Sequence, residues 1–283
     1  MIDSKYLLDE DGIYKPNIPI EHREDEYQES GFKSLLKMQE QHFWYKGRHR
    51  FLLAATDRFL SQANPIPYSA IDFGGGCGGW VAYLGQARPT KFDPLALADS
   101  SLVALSAAKE VLPAQSLRYQ VDLMQLSMNN QWDAAFLLDV IEHLPDDVAA
   151  LRQAREALKP GGFLFVTAPA FPQFWSYNDD MGHHLRRYRR SDFKKLAEKS
   201  GLTLCDARYF MFYLSPLYLL SRMKSTYATL TPIQKTELII KQHQVPSKLV
   251  NSLLSGIFAA ETPFGHWLRF PWGTSILGVF KKT

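Results

Sequence analysis

Asp72 and the glycines after it, in the stretch SAIDFGGGCGGW at residues 69–80, have the types and spacing that serve nucleotide chemistry. Glycines directly after a short apolar strand allow a tight turn and let the backbone come close to a nucleotide. Gly74, Gly76 and Gly79 satisfy G-x-G-x-x-G, and Asp99 lies 20 residues beyond Gly79, where a carboxylate accepts hydrogen bonds from ribose hydroxyls. This is the spacing of a nicotinamide site, so an NAD(P)-dependent oxidoreductase is one reading. Asp72, Gly74, Gly76 and Gly78 also satisfy D-x-G-x-G-x-G. A nicotinamide fingerprint gives no reason for an acid at position 72. A cofactor carrying an ammonium group does, because a charge-assisted contact is favourable there.

The longer pattern resembles motif I of the class I S-adenosylmethionine-dependent methyltransferases, and the resemblance continues in order along the chain. DSSLVALSAAKE from Asp99 is similar to the family's second-strand acid and following helix, YQVDLMQLSM to the third-strand end, WDAAFLLDVIEHLPDD to the fourth strand and its exit, and KPGGFLFVTAP to the fifth. EQHFWYKGRHRFL and FWSYNDDMGHHLRRYRRSDF resemble a bacterial subgroup with H-x-W-(x)3-R in the leader and H-x-R-R-Y after the fifth strand. The resemblance implies S-adenosyl-L-methionine as cofactor and a Rossmann-like α/β fold. Its sheet is seven-stranded, of order 3-2-1-4-5-7-6 with the last strand antiparallel. It also implies roles. Asp72 fixes the methionine moiety above Gly74, Gly76 and Gly78, and Asp99 takes the ribose hydroxyls. Asp93 competes for that last role, but LALAD is the better buried strand. Asp122 meets the adenine amino group, Leu123 packs on its ring, and Asp139 faces the cofactor. Trp44 offers an aromatic face to a sulfonium and Arg48 a grip on the cofactor carboxylate. Phe43 and Trp44 read equally well as packing residues.

The elements that must position these residues are legible in the apolar pattern. Short apolar strands over 70–73, 95–98, 117–121, 134–138 and 163–167 alternate with helical stretches, as in a parallel sheet with crossover helices. Pro145, Asp146 and Asp147 start a helix that Pro160 and Gly161 stop, with Val148, Leu151, Arg155 and Leu158 on one face. A helix over 191–199, a strand over 202–209 and a last strand over 274–281 follow. Residues 1–64 read as an irregular and then helical leader and cap, closed by Pro65 and Pro67. Residues 65–212 with 273–283 read as the cofactor-binding core, and 213–272 as an aromatic-rich helical insertion suited to a substrate or an interface.

A cofactor that brings its own leaving group asks the protein for orientation, exclusion of water and, for a hydroxyl acceptor, a base. His143 and His184 are the candidates, since both follow strands at the carboxyl edge of the sheet, where such folds bind ligands. His183 can exchange roles with His184, and each also reads as a structural hydrogen-bonding residue. Asp139, Glu142 and His143 with a downstream histidine resemble the cluster of metal-dependent relatives. One carboxylate is shorter than their glutamate, however, and no metal is expected. Arg186, Arg187, Tyr188 and Arg189 suit an anionic acceptor, or salt bridges to the acidic run at 21–30. Cys77 reads as a variable position in the glycine loop.

Composition narrows the rest. A net charge of +3, no zinc spacing and no long basic tail give no reason for nucleic-acid binding. Two distant cysteines suit a reducing compartment, and the acidic N-terminus lacks the basic flank of an export signal, so a cytoplasmic enzyme is expected. The stretch YFMFYLSPLYLLSRMK, with Arg222 and Lys224, suits core, a dimer surface, or an apolar acceptor and peripheral contact with a membrane. A small-molecule, glycan or lipid-linked acceptor methylated on oxygen is the expected substrate. An inactive cofactor-binding interaction protein is the remaining alternative.

Overall fold

A computed structural model describes residues 5–20, 32–61, 66–223, 231, 234 and 244–283. Its strands are β1 (Tyr6–Leu8), β2 (Tyr14–Pro16), β3 (Tyr68–Phe73), β4 (Phe92–Asp99), β5 (Leu117–Gln120), β6 (Trp132–Leu138), β7 (Leu158–Pro169), β8 (Thr203–Phe210) and β9 (Ser275–Lys281). They form one sheet in the order β1-β2-β5-β4-β3-β6-β7-β9-β8. From β5 onward this is the expected 3-2-1-4-5-7-6 order. β3 to β7 are parallel, and β9 is antiparallel to both β7 and β8. Every residue of β3 is buried, as a central strand covered on both faces requires.

The sheet has nine strands among the described residues rather than the expected seven. The additional pair, β1 and β2, extends the β5 edge. Three-residue strands are too short to show an alternating pattern in sequence, and tertiary contacts hold them. Tyr14 stacks on Tyr119 at 4.8 Å, Tyr6 meets the same ring edge-on at 5.4 Å, and Arg118 donates to the Asp11 carbonyl.

The helices are α1 (Phe32–Gln41), α2 (Phe43–Leu60), α3 (Gly79–Ala87), α4 (Leu102–Ala108), α5 (Asp147–Ala157), α6 (Tyr177–Met181), α7 (Arg190–Ser200), α8 (Ser215–Met223) and α9 (Lys248–Trp267). On one face, Leu151 and Ala154 of α5 and Phe193 and Leu196 of α7 pack with Ile71, Leu137 and Leu164 of the sheet. Asp146 caps α5 by accepting from the Ala149 amide at 2.9 Å. The helix ends at Ala157, before the expected Pro160–Gly161 stop, because Leu158 already pairs with Trp132 in the sheet. Its buried face is Ala150, Leu151, Ala154 and Ala157, with Val148 and Arg155 only half-buried.

On the other face, Phe51 and Leu52 of α2, Trp80 and Val81 of α3 and Phe258 of α9 pack with Phe136, Phe165 and Val279. The leader is therefore not simply an irregular stretch and a cap: it contributes a strand pair, and α2 is a layer of the core. Burial of Phe51, Leu52, Ala55 and Leu60 holds it there, each large side chain contributing roughly 1.5–3 kcal/mol. α9, from the 213–272 segment, is built onto α2. Gly47 leaves room for the Phe258 ring, Asn251 bridges the Phe43 amide and the Gln41 carbonyl at 2.8 Å each, and Arg50 donates to the Ser255 carbonyl at 2.9 Å. The acidic run at 21–30, Pro65, Lys224 and the side chain of Arg222 lie outside the described residues.

Candidate functional site

The carboxyl ends of β3 to β7 make one edge, and the loops leaving it carry the predicted residues. Gly74, Gly76 and Gly78 all adopt left-handed backbone, at φ +71°, +56° and +77°, which a side chain would strain. Asp99 ends β4 and ties this loop down: one oxygen accepts from the Gly76 amide at 2.8 Å, the other from the Ser101 amide at 2.9 Å. Asp93 is exposed near the opposite end of the same strand.

Asp72 is 2% exposed, and its Oδ1 has no hydrogen-bond partner. Burial pushes its carboxyl up to about 8; Arg48 opposes the shift and Asp99 adds to it. Gly75 explains how the loop approaches so closely, since a Cβ there would stand 2.4 Å from Asp72 Oδ2. This glycine falls between the motif's letters, and sequence reasoning passed over it. Cys77 is not a freely variable position. It is fully buried with Ala104, Leu35, Leu36 and Ala107, and burial pushes its thiol up to about 12, which removes it from thiolate chemistry. α1 lies over the same loop, with Leu35 facing Gly76 and Gln39 facing Gly79.

His42 caps α2, its Nδ1 accepting from the Trp44 amide at 3.2 Å, and burial pulls its pKa down to about 4, so it stays neutral. One turn on, the Arg48 guanidinium lies over the rings of Trp44 and Tyr45, 4.8 and 5.1 Å from their centroids, and pairs with Asp139. Asp139 leaves β6 with left-handed backbone at φ +58°, its amide held by the Thr167 carbonyl at 2.9 Å. Such backbone in a non-glycine residue costs roughly 1–3 kcal/mol and persists where surroundings impose it. Asp122 accepts from the Met124 amide at 2.8 Å, capping the short turn Leu123–Gln125, and Leu123 packs half-buried against the core.

Beyond Asp139 the chain brings together Glu142, His143 and His184. The two imidazoles meet edge-to-face with centroids 4.8 Å apart. His184 Nδ1 lies 2.9 Å from Asp179 Oδ1, and Arg187 grips the same carboxylate with bonds of 2.7 and 2.9 Å. Asp179 is fully buried. Burial alone would raise its carboxyl, but His184 and Arg187 outweigh that and hold it below the usual range. Burial, with His184 alongside, pulls His143 down to about 4. Glu142 is fully buried with neither oxygen hydrogen-bonded, and burial with the nearby Asp139 charge raises its carboxyl well above the ordinary value. Asp179 escaped sequence reasoning; its only signal is the S-x-x-D capping box that Ser176 and Asp179 form at α6. Of the basic run, Arg187 pairs with Asp179, while Arg186 pairs with Asp147 at 3.1 Å and donates to the Pro145 carbonyl. The single O–H of Tyr188 lies within hydrogen-bond distance of the Asp147 carboxylate at 2.9 Å and the Ile141 carbonyl at 3.1 Å. These contacts bind the H-x-R-R-Y segment to the loop after β6.

This strand order, with its acid-and-glycine loop after the first core strand, is that of a class I S-adenosylmethionine-dependent methyltransferase. A family model described as a methyltransferase domain matches residues 43–207, more than half of the chain, and the chain belongs to that family. No curated protein matches it. Among solved structures it is similar to a chain of the complex between the Haloferax volcanii Trm112 methyltransferase activator and a methyltransferase. That match has 12% identity and a TM-score of 0.56, over 92% of this chain and 98% of that one. It is also similar to Haemonchus contortus phosphoethanolamine N-methyltransferase 2 in complex with S-adenosyl-L-methionine, with 16% identity and a TM-score of 0.58, over 95% of this chain and 61% of that one. A Bacillus halodurans methyltransferase matches with 18% identity and a TM-score of 0.51, over 81% and 99% of the two chains. At these identities the likeness is one of fold. The cofactor is S-adenosyl-L-methionine, and the buried, unpartnered Asp72 Oδ1 beside a side-chain-free loop fits its cationic methionine end. None of the described helices is long and apolar enough to cross a membrane.

Proposed function

We propose that the chain methylates a hydroxyl oxygen of a small-molecule, glycan or lipid-linked acceptor, with His184 as the base. When bound, S-adenosyl-L-methionine supplies an activated methyl group on a sulfonium. Asp72 holds the ammonium of its methionine part, Gly74, Gly76 and Gly78 admit its backbone-close portion, and Asp99 takes the ribose hydroxyls. Asp122 and Leu123 border the adenine. Trp44 and Arg48 close the leader side, with Arg48 holding Asp139 in place. α9, from the described part of the 213–272 segment, shapes the acceptor side from its position on α2.

The observation that carries the oxygen reading is the hydrogen bond between His184 Nδ1 and the buried Asp179. A carboxylate there accepts from Nδ1–H, which leaves Nε2 as the basic nitrogen, and Arg187 keeps the carboxylate from turning away. His143, neutral beside it, crowds the same edge and suits a substrate contact. Methyl transfer to panels of hydroxyl and amine acceptors tests the proposal. His184→Gln is expected to lower kcat for a hydroxyl acceptor by about 10²–10⁴-fold with S-adenosylhomocysteine affinity unchanged. Transfer only to amines, or an unaffected kcat, overturns it.

A further inference from the structure

Glu142 poses a problem that methyl transfer does not solve. A fully buried carboxylate with no hydrogen bond to either oxygen is strongly penalised when charged unless a cation meets it. The nearby guanidinium groups are already engaged, Arg48 by Asp139 and Arg187 by Asp179. His143 and His184 lie beside it, and one possible ligand atom from each of the three residues lies within 4.8 Å of the others.

One imidazole is also oriented from behind: Asp179 holds His184 through Nδ1. Metal-ligating histidines are held in this way, with one N–H given to a carboxylate or carbonyl and the other nitrogen's lone pair left to the ion. We infer that Glu142, His143 and His184 form a binding site for one divalent first-row transition-metal ion. Two imidazoles and a carboxylate select zinc, or cobalt in its place, over magnesium, calcium and manganese, which prefer oxygen-rich sets. Ligands about 2.1 Å from a shared ion stand about 3.4 Å apart in a tetrahedron, so rotation of these side chains closes the set. Three protein ligands leave a position open for an oxygen atom of the acceptor.

This deepens the hydroxyl reading at the same site, because an ion there lowers the pKa of a hydroxyl it touches. With the ion bound, Nε2 of His184 is a ligand rather than the base it is in the metal-free reading, and the proton of the activated hydroxyl passes to water. Metal binding itself is read without an acceptor, so the two proposals fail separately. Chelator-stripped protein is titrated with cobalt chloride and followed by visible absorption, with zinc chloride as competitor. The expected result is one cobalt ion per chain at micromolar affinity, displaced by zinc. Glu142→Gln and His143→Gln should each weaken it by at least about 100-fold while S-adenosylhomocysteine binding persists. If cobalt at millimolar concentration leaves no spectrum in protein that binds S-adenosylhomocysteine, or if both variants keep the spectrum undiminished, the inference is overturned.

Discussion

Replacing Asp72 by asparagine should stabilise the cofactor-free chain and weaken its cofactor binding, and the size of the first effect should depend on pH. The carboxyl is 2% exposed and burial pushes it from 3.8 up to about 8. Between about pH 4 and pH 8 the folded chain therefore keeps a proton that the unfolded chain releases. The folded-state value being the raised one, stability falls as pH rises through this window, at about 1.4 kcal/mol per unit, and levels off above pH 8. The limiting loss is about 6 kcal/mol. Asparagine has the same shape and no charge, so wild type and Asp72→Asn should be alike near pH 4–5 and diverge by a few kcal/mol at pH 8, with the variant the more stable. Urea unfolding from pH 5 to pH 8 without cofactor measures this, and comparing the two proteins cancels the same-signed contribution of Glu142. Binding reverses the order. An ammonium group facing Asp72 needs the ionised form, so S-adenosylhomocysteine should bind wild type with proton release at pH 7, visible as a buffer-dependent enthalpy. It should bind Asp72→Asn about 10–100-fold more weakly, the loss of one charge-assisted hydrogen bond. A stability difference that stays flat from pH 5 to pH 8 would refute the reasoning, whatever the cofactor does.

Two further outcomes follow from packing and charge. Gly47→Ala places a Cβ 2.0 Å from Phe258 Cδ1 and should cost about 1–3 kcal/mol in urea unfolding, partly restored by Phe258→Leu, because the contact between α2 and α9 has no spare room. Arg187→Met leaves Asp179 buried with one partner fewer and should cost about 3–5 kcal/mol at pH 7. Because Asp179 is held below its usual range, the stability it contributes is present above about pH 4 and is lost as pH falls, so the deficit of the variant should shrink in unfolding measured at pH 3.

The core strands and the order of the acids were legible because they are local. β3 announces itself as a short, mostly apolar run, and Asp72 stands out as the one acid within it. Asp99, Asp122 and Asp139 mark the ends of β4 and β5 and the exit of β6, each set by where a run of buried residues stops. Binary pattern and turn chemistry decide such features over a few residues, so they survive in a sequence read alone. The two N-terminal strands did not, since three residues show no period and aromatic contacts to Tyr119 hold them. The same holds for the H-x-R-R-Y element, whose histidine and second arginine turn out to share one buried aspartate that the sequence marked only as part of a capping box.

By itself the sequence determined the seven core strands, the glycine loop and the acids around it, since strand, turn and cap are written in neighbouring residues. Only the tertiary structure decided the partnerships. Arg48 meets Asp139 across 91 positions, Phe258 settles on Gly47, and Glu142 is sealed without a partner beside two histidines. The reason is physical: ion pairing and burial depend on which surfaces the folded layers press together, and that is a property of distance in space rather than along the chain.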